Sequence, residues 1–197
     1  MHKTMADPEI ERWNNCGSIS LWHYEGFPKN YDGYHLAADN QGCIFLLGLL
    51  ERFRNAPYPA RKTIALTPPA ADQLAVPNCP KQCIPAKRVE FRFRRDFDDA
   101  HWSIVDNDGS IVIETGVTGL CGLDRGVGDM ILGKGDWSTG EGTQSLWFWW
   151  HPHPRLCRTN AWSARADPFR SQVICRNSNH CPASKARSRS AVPHALR

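Results

Sequence analysis

The side chains with the most evident capacity for chemistry are Asp96, Asp98, Asp99 and His101, four titratable groups within six positions. Carboxylates beside an imidazole can move a proton, or hold a divalent cation that activates water. These four are therefore weak candidates for a metal-assisted hydrolase. Directly after Arg94 and Arg95, however, the same acids read more simply as a solvated turn whose charges are paired locally. A second set is Cys79 and Cys83, four positions apart, which His151 and His153 could complete as a four-ligand zinc set. Pro80 and the neighbouring prolines give that pair no recognisable knuckle, and His151-Pro152-His153 suits an exposed turn. The group Cys175, His180 and Cys181 is looser still. No metal or other cofactor is expected.

Two further motifs fail on their chemistry. Gly128 to Gly135 has the G-x-x-x-x-G-K spacing of a phosphate loop, but Gly135 stands where a hydroxyl must bind magnesium, and Met130, Ile131 and Leu132 fill an interior that wants burial. Asp106-Asn107-Asp108-Gly109 opens like a calcium loop, but the twelfth position, which needs a bidentate acid, is Val117. The four residues are better explained as a β-hairpin turn, since Asn/Asp-Gly accepts positive φ.

Charge divides the chain near Pro154. Residues 1–154 carry 15 Lys/Arg against 19 Asp/Glu, and residues 155–197 carry 9 against the single Asp167. The first part is long enough for one domain with a real core. The second is rich in Arg, Ser, Ala and Pro without a hydrophobic period, and it is expected to be an unstructured basic tail. That tail could serve nucleic acid or another anionic partner, or be a solvated extension. The favoured reading is out-of-frame sequence of a GC-rich gene. Within the domain, Arg88, Arg92, Arg94 and Arg95 form a basic stripe, but Glu90 interrupts it and three aspartates follow, which weakens a nucleic-acid reading. No apolar run approaches a membrane span, and no signal-peptide core follows the N-terminus. A cytoplasmic location with no membrane partner is the expectation, with the five domain cysteines as free thiols.

The elements that must position these residues are legible in part. Val89, Phe91 and Phe93 alternate with Arg88, Glu90, Arg92 and Arg94, the period of a half-buried strand. Residues 18–26, 31–36, 61–66 and the hairpin arms 101–105 and 110–115 read as further strands. Asp39 or Asn40 caps a helix carrying Ile44, Phe45, Leu47, Leu49, Leu50 and Phe53, which Asn55, Pro57 and Pro59 end. Residues 70–86 read as a loop. Residues 116–142 hold nine glycines and read as a winding loop or broken strands, with Met130-Ile131-Leu132 a short buried strand. The expectation is an α+β domain over residues 1–154, with a mainly antiparallel sheet of about six strands on one principal helix.

The last strand, Leu146 to Trp150, has rings on both faces. One face can fill the core. The other must meet the glycine-rich segment, a ligand or a partner. Trp147, Trp149, Trp150, Trp137 and Tyr34 are accordingly the candidate binding residues. The expected function is a non-catalytic interaction module of inhibitor or immunity type, with a protein partner held on an aromatic sheet face.

Overall fold

The structure is a computed structural model and describes residues 8–150 except 13, 15, 16, 97 and 136. The expectations for the tail and for His151 and His153 lie outside the described residues.

Local signals explain most elements. Strand β1 (Ile19–Tyr24) and β2 (Tyr34–Ala38) form an antiparallel pair. Helix α2 (Asn40–Asn55) starts where the Asp39 carboxylate accepts the Gly42 N–H at 2.7 Å through one oxygen and the Ser18 N–H at 2.9 Å through the other. Arg52 and Arg54 sit in its last turn, where the helix dipole favours cations. Strand β3 (Ala60–Ala65) pairs with β5 (Arg88–Phe93), whose Val89, Phe91 and Phe93 are buried as their alternation requires. Strands β6 (Trp102–Asn107) and β7 (Ser110–Thr115) form the expected hairpin. Asp108 and Gly109 both take positive φ (53° and 79°), and Asp106 Oδ1 accepts the Gly109 N–H at 2.9 Å.

The α+β class stands, built on two mixed sheets rather than one sheet of about six strands. The first has five strands in the order β4 (Cys83–Pro85), β1, β2, β9 (Leu146–Trp149) and β8 (Trp137–Thr139), and the second has four in the order β3-β5-β7-β6. The pairs β2–β9 and β5–β7 are parallel. The additional strands β4 and β8 are three residues each, too short to show a period. Residues 70–86, read as loop, hold β4 and the short helix α3 (Ala71–Ala75).

There is also a second long helix. Residues 117–131, expected to be loop or broken strand, form α4 (Val117–Ile131), and Met130 and Ile131 are its end rather than a strand. Its glycines explain how. A Cβ on Gly119 would run into Thr115 and Trp102, one on Gly122 would meet Thr139, and one on Gly126 would strike the Phe148 ring. Spaced by three and four, these positions form one bare helical face. Close approach to the strands offsets the poor helix propensity of glycine, about 1 kcal/mol per residue relative to alanine. The phosphate-loop spacing thus begins inside a helix rather than before one.

The inner faces of both sheets and the buried sides of α2 and α4 share one hydrophobic core, which also includes Ile10 of helix α1 (Pro8–Arg12). All four sheet edges are blunted against strand addition. Strands β4 and β8 are very short. On β3, Lys62 Nζ donates to Glu11 O of α1 at 2.6 Å. On β6, Gln144 of the 3-10 turn Gly142–Gln144 accepts the Ile104 N–H on its side-chain oxygen and the Trp102 Nε1–H on its carbonyl. Strand β9 fills the interior of the five-stranded sheet.

Candidate functional site

Alternation along three strands creates an aromatic face on the side of the five-stranded sheet away from the main core. In β1, Ile19 and Leu21 enter the core while Ser20, Trp22 and Tyr24 point outward; in β9, Leu146 and Phe148 enter it while Trp147 and Trp149 point outward. Strand β2 sends Tyr34, Leu36 and Ala38 inward, leaving His35 and Ala37 outside. Register then aligns one row across the sheet: Pro85 opposite Trp22, Trp22 opposite His35, His35 opposite Trp147, and Trp147 opposite Ser138.

His35 lies at the centre of that row. Its ring is stacked with Trp22 (5.6 Å between centroids), Trp149 (5.9 Å) and Trp147 (6.4 Å), and Tyr24 meets it edge-on at 4.9 Å. Nδ1 accepts the Trp149 Nε1–H at 2.8 Å, and Nε2 donates to Tyr31 O at 3.3 Å. These partners define a neutral imidazole with the proton on Nε2. Burial moves the pKa the same way, down to about 4, although the Tyr31 carbonyl pulls upward. Beside it, burial pushes the Tyr24 phenol up to about 12, with Trp22 acting in the opposite direction and the Cys79 and Cys83 thiols adding to the rise. Trp22 Nε1 and Tyr24 Oη are both sealed from solvent.

This face is covered by the chain itself. Leu74, Val76, Cys79, Cys83 and Tyr31 pack on the ring cluster. Gln73 of α3 is buried with its Oε1 accepting from Ser20 Oγ (3.2 Å) and from Ala70 N (2.8 Å), while Tyr31 Oη donates to Pro77 O at 2.8 Å. The cover is therefore the proline-rich 70–85 segment, whereas the glycine-rich helix packs on the opposite, core side. Trp22, Tyr24, His35 and Trp149 are buried, and Trp147 is only half-buried, its Nε1 donating to Asp32 O at 2.6 Å. The open margin of the face lies at Trp147.

The five candidate binding residues do not share one surface. Trp147 and Trp149 are together, stacked at 6.1 Å. Trp137 faces the other way, against Phe148 at 5.0 Å, with the Arg125 guanidinium 5.4 Å from its ring centre. Tyr34 belongs to the core side, edge-on to His23 and Phe27. Trp150 lies past the strand end, half-buried beside Gly135.

The acidic cluster bonds largely within its own turn. Asp96 pairs with Arg94 at 2.7 and 3.2 Å, and the guanidinium holds its carboxyl below the usual carboxylate range. Asp98 accepts the Ala100 N–H through Oδ1 and the His101 N–H through its carbonyl, and Asp99 O accepts from Thr118 at the start of α4. His101 Nε2 stands 3.6 Å from Glu114. On the basic stripe, Glu90 binds the Arg92 guanidinium through both oxygens at 3.0 Å. Cys79 and Cys83 both pack against the ring cluster. Among the described residues, no three His, Cys, Asp or Glu side chains assemble as a metal site.

Two groups escaped the sequence reading. His35 carried a usable signal, because alternation against Tyr34 and Leu36 places it on the face that Trp147 and Trp149 share. His23 carried none. Its Nδ1 donates to Tyr24 O, its Nε2 lies 3.9 Å from Asp106 Oδ2 on the other sheet, and its ring stacks at 4.7 Å on Phe27, a non-glycine residue at φ 43°.

No family model, curated protein or solved structure matches this chain.

Proposed function

We propose that the protein is a non-catalytic binding module that holds a protein partner at the open margin of its aromatic face, as an inhibitor or immunity factor would. One observation carries this reading: on a sheet face whose other rings are buried, Trp147 is only half-buried. A large, rigid ring at the rim of a preorganised aromatic layer is the kind of anchor that dominates protein–protein contacts. Blunted sheet edges favour docking through side chains over strand addition. The hydrolase alternative draws less support, because the Asp96 carboxylate is paired with Arg94 and Asp98 Oδ1 is bonded to the Ala100 N–H. A cytosolic setting belongs to the proposal, since Cys43, Cys79 and Cys83 are free thiols. Among the described residues no helix is long and apolar enough to cross a membrane.

The test places p-benzoylphenylalanine at Ser138, the neighbour of Trp147 in the ring row, and at exposed Thr63 on the other sheet as control. Irradiation in the cells that make the protein should give a discrete protein adduct from position 138, lost on Trp147→Ala. Equal adducts from both positions, or an adduct insensitive to Trp147→Ala, would overturn the reading.

A further inference from the structure

The cover of the aromatic face contains a cysteine pair that the binding reading does not use. Cys79 and Cys83 flank Pro80-Lys81-Gln82, and the chain bends at Pro80 and Lys81. Cys83 opens β4 directly opposite Tyr24 in the ladder, which sets its side chain beside that ring. Both sulfur-bearing side chains pack on the cluster of Trp22, Tyr24, Ala37 and Trp149, and both act on the Tyr24 phenol. The bend is anchored on either side, by Tyr31 Oη on Pro77 O and by the Glu25 N–H on Gln82 O at 2.9 Å. A disulfide needs Cα atoms about 4.4–6.8 Å apart, which one reversal over three intervening residues can reach.

We propose that Cys79 and Cys83 are an oxidisable pair, closing a reversible disulfide across the Pro80–Lys81 bend that clamps the cover onto the aromatic face. The oxidant is hydrogen peroxide. The Cys79 thiolate attacks one peroxide oxygen, the S–O bond forms as the O–O bond breaks, and the departing hydroxide takes up a proton as water. Cys79 is then a sulfenic acid. The Cys83 sulfur displaces its oxygen, the S–S bond forms, and the Cys83 proton leaves with that oxygen as a second water. Two thiols and one hydrogen peroxide thus give one disulfide, with two electrons passing to the peroxide. Burial raises the Cys83 pKa, which suits that thiol to the second step, where it arrives with its proton. Cys43 is the internal contrast: its buried thiol is pushed up to about 12 and contacts Ala38 O at 3.7 Å.

The experiment uses the full chain, folded and pretreated with reductant, then exposed to hydrogen peroxide and quenched with N-ethylmaleimide. Trypsin cuts after the exposed Lys81, between the two cysteines, so a disulfide joins peptides 63–81 and 82–87 in one species that reductant separates. That linked species should be the main product at these positions, with Cys43 still recovered as a reduced thiol. It should vanish in both Cys79→Ser and Cys83→Ser. Recovery of the two peptides as separate maleimide adducts, linkage of either to another cysteine, or sulfinic acid without the linked species would each overturn the proposal. None of these outcomes depends on whether a partner binds at Trp147.

Discussion

Replacing Gly126 and Gly128 by alanine, one at a time, should change stability in opposite directions, although both lie in α4 two residues apart. Each substitution gains helix propensity, about 0.8–1 kcal/mol in a helix interior. At Gly128 nothing stands within 4 Å of the new methyl, so that gain is realised, and the variant should be more stable by about 0.5–1 kcal/mol. At Gly126 the methyl would lie 2.5 Å from Cδ1 and Cζ of Phe148. That ring is wholly buried and tilted against Trp137 at 5.0 Å, so it has little room to yield. Overpacking a filled core costs about 1–3 kcal/mol, which outweighs the propensity gain and leaves a net loss of up to about 2 kcal/mol. Urea unfolding followed by circular dichroism measures both, provided the slope is unchanged so that the midpoint reports stability. If the two variants move together, either α4 is not a helix or its bare face does not meet β9.

Two other consequences follow from single side chains. Because the His35 pKa is lowered from 6.5 to about 4, the unfolded chain binds a proton that the folded chain refuses, so stability is lost as pH falls through that window and levels off below it. The loss is about 3 kcal/mol at 1.36 kcal/mol per pH unit; His35→Gln should flatten the slope of urea midpoints between pH 6.5 and 4, and an unaltered slope would assign the acid sensitivity elsewhere. Asp39→Ala removes the cap of α2 and should lower stability by about 1–2 kcal/mol in the same assay, while Asp39→Asn, another good cap, should recover most of it.

Local chemistry was legible in the sequence where it is self-contained. The alternation of Val89, Phe91 and Phe93, the Asp-Gly turn and the capped helix after Asp39 each specify their element without help from elsewhere. Helix α4 was hidden because its glycines read as breakers, and what makes them favourable is the closeness of Thr139 and Phe148, distant in sequence. The spacing of Gly119, Gly122 and Gly126 was the available clue. Three-residue strands carry no period, which concealed β4 and β8, and the division into two sheets rests on pairing between distant segments such as β2 and β9. Opposite facing of Trp147 and Phe148 was readable from alternation. That residues 70–85 fold back over the outer rings was not, because Leu74, Cys79 and Cys83 meet Trp22 and Trp149 only through the tertiary fold.

Hydroxyl-radical footprinting with residue-resolved mass spectrometry addresses the closed aromatic face most directly. With the native protein, Trp147 should oxidise several-fold faster than Trp22 and Trp149, which lie beneath the chain's own cover. Oxidation of Trp22 or Trp149 as rapid as that of Trp147 would mean that the face is open, and that its rings, with His35 among them, are exposed to solvent.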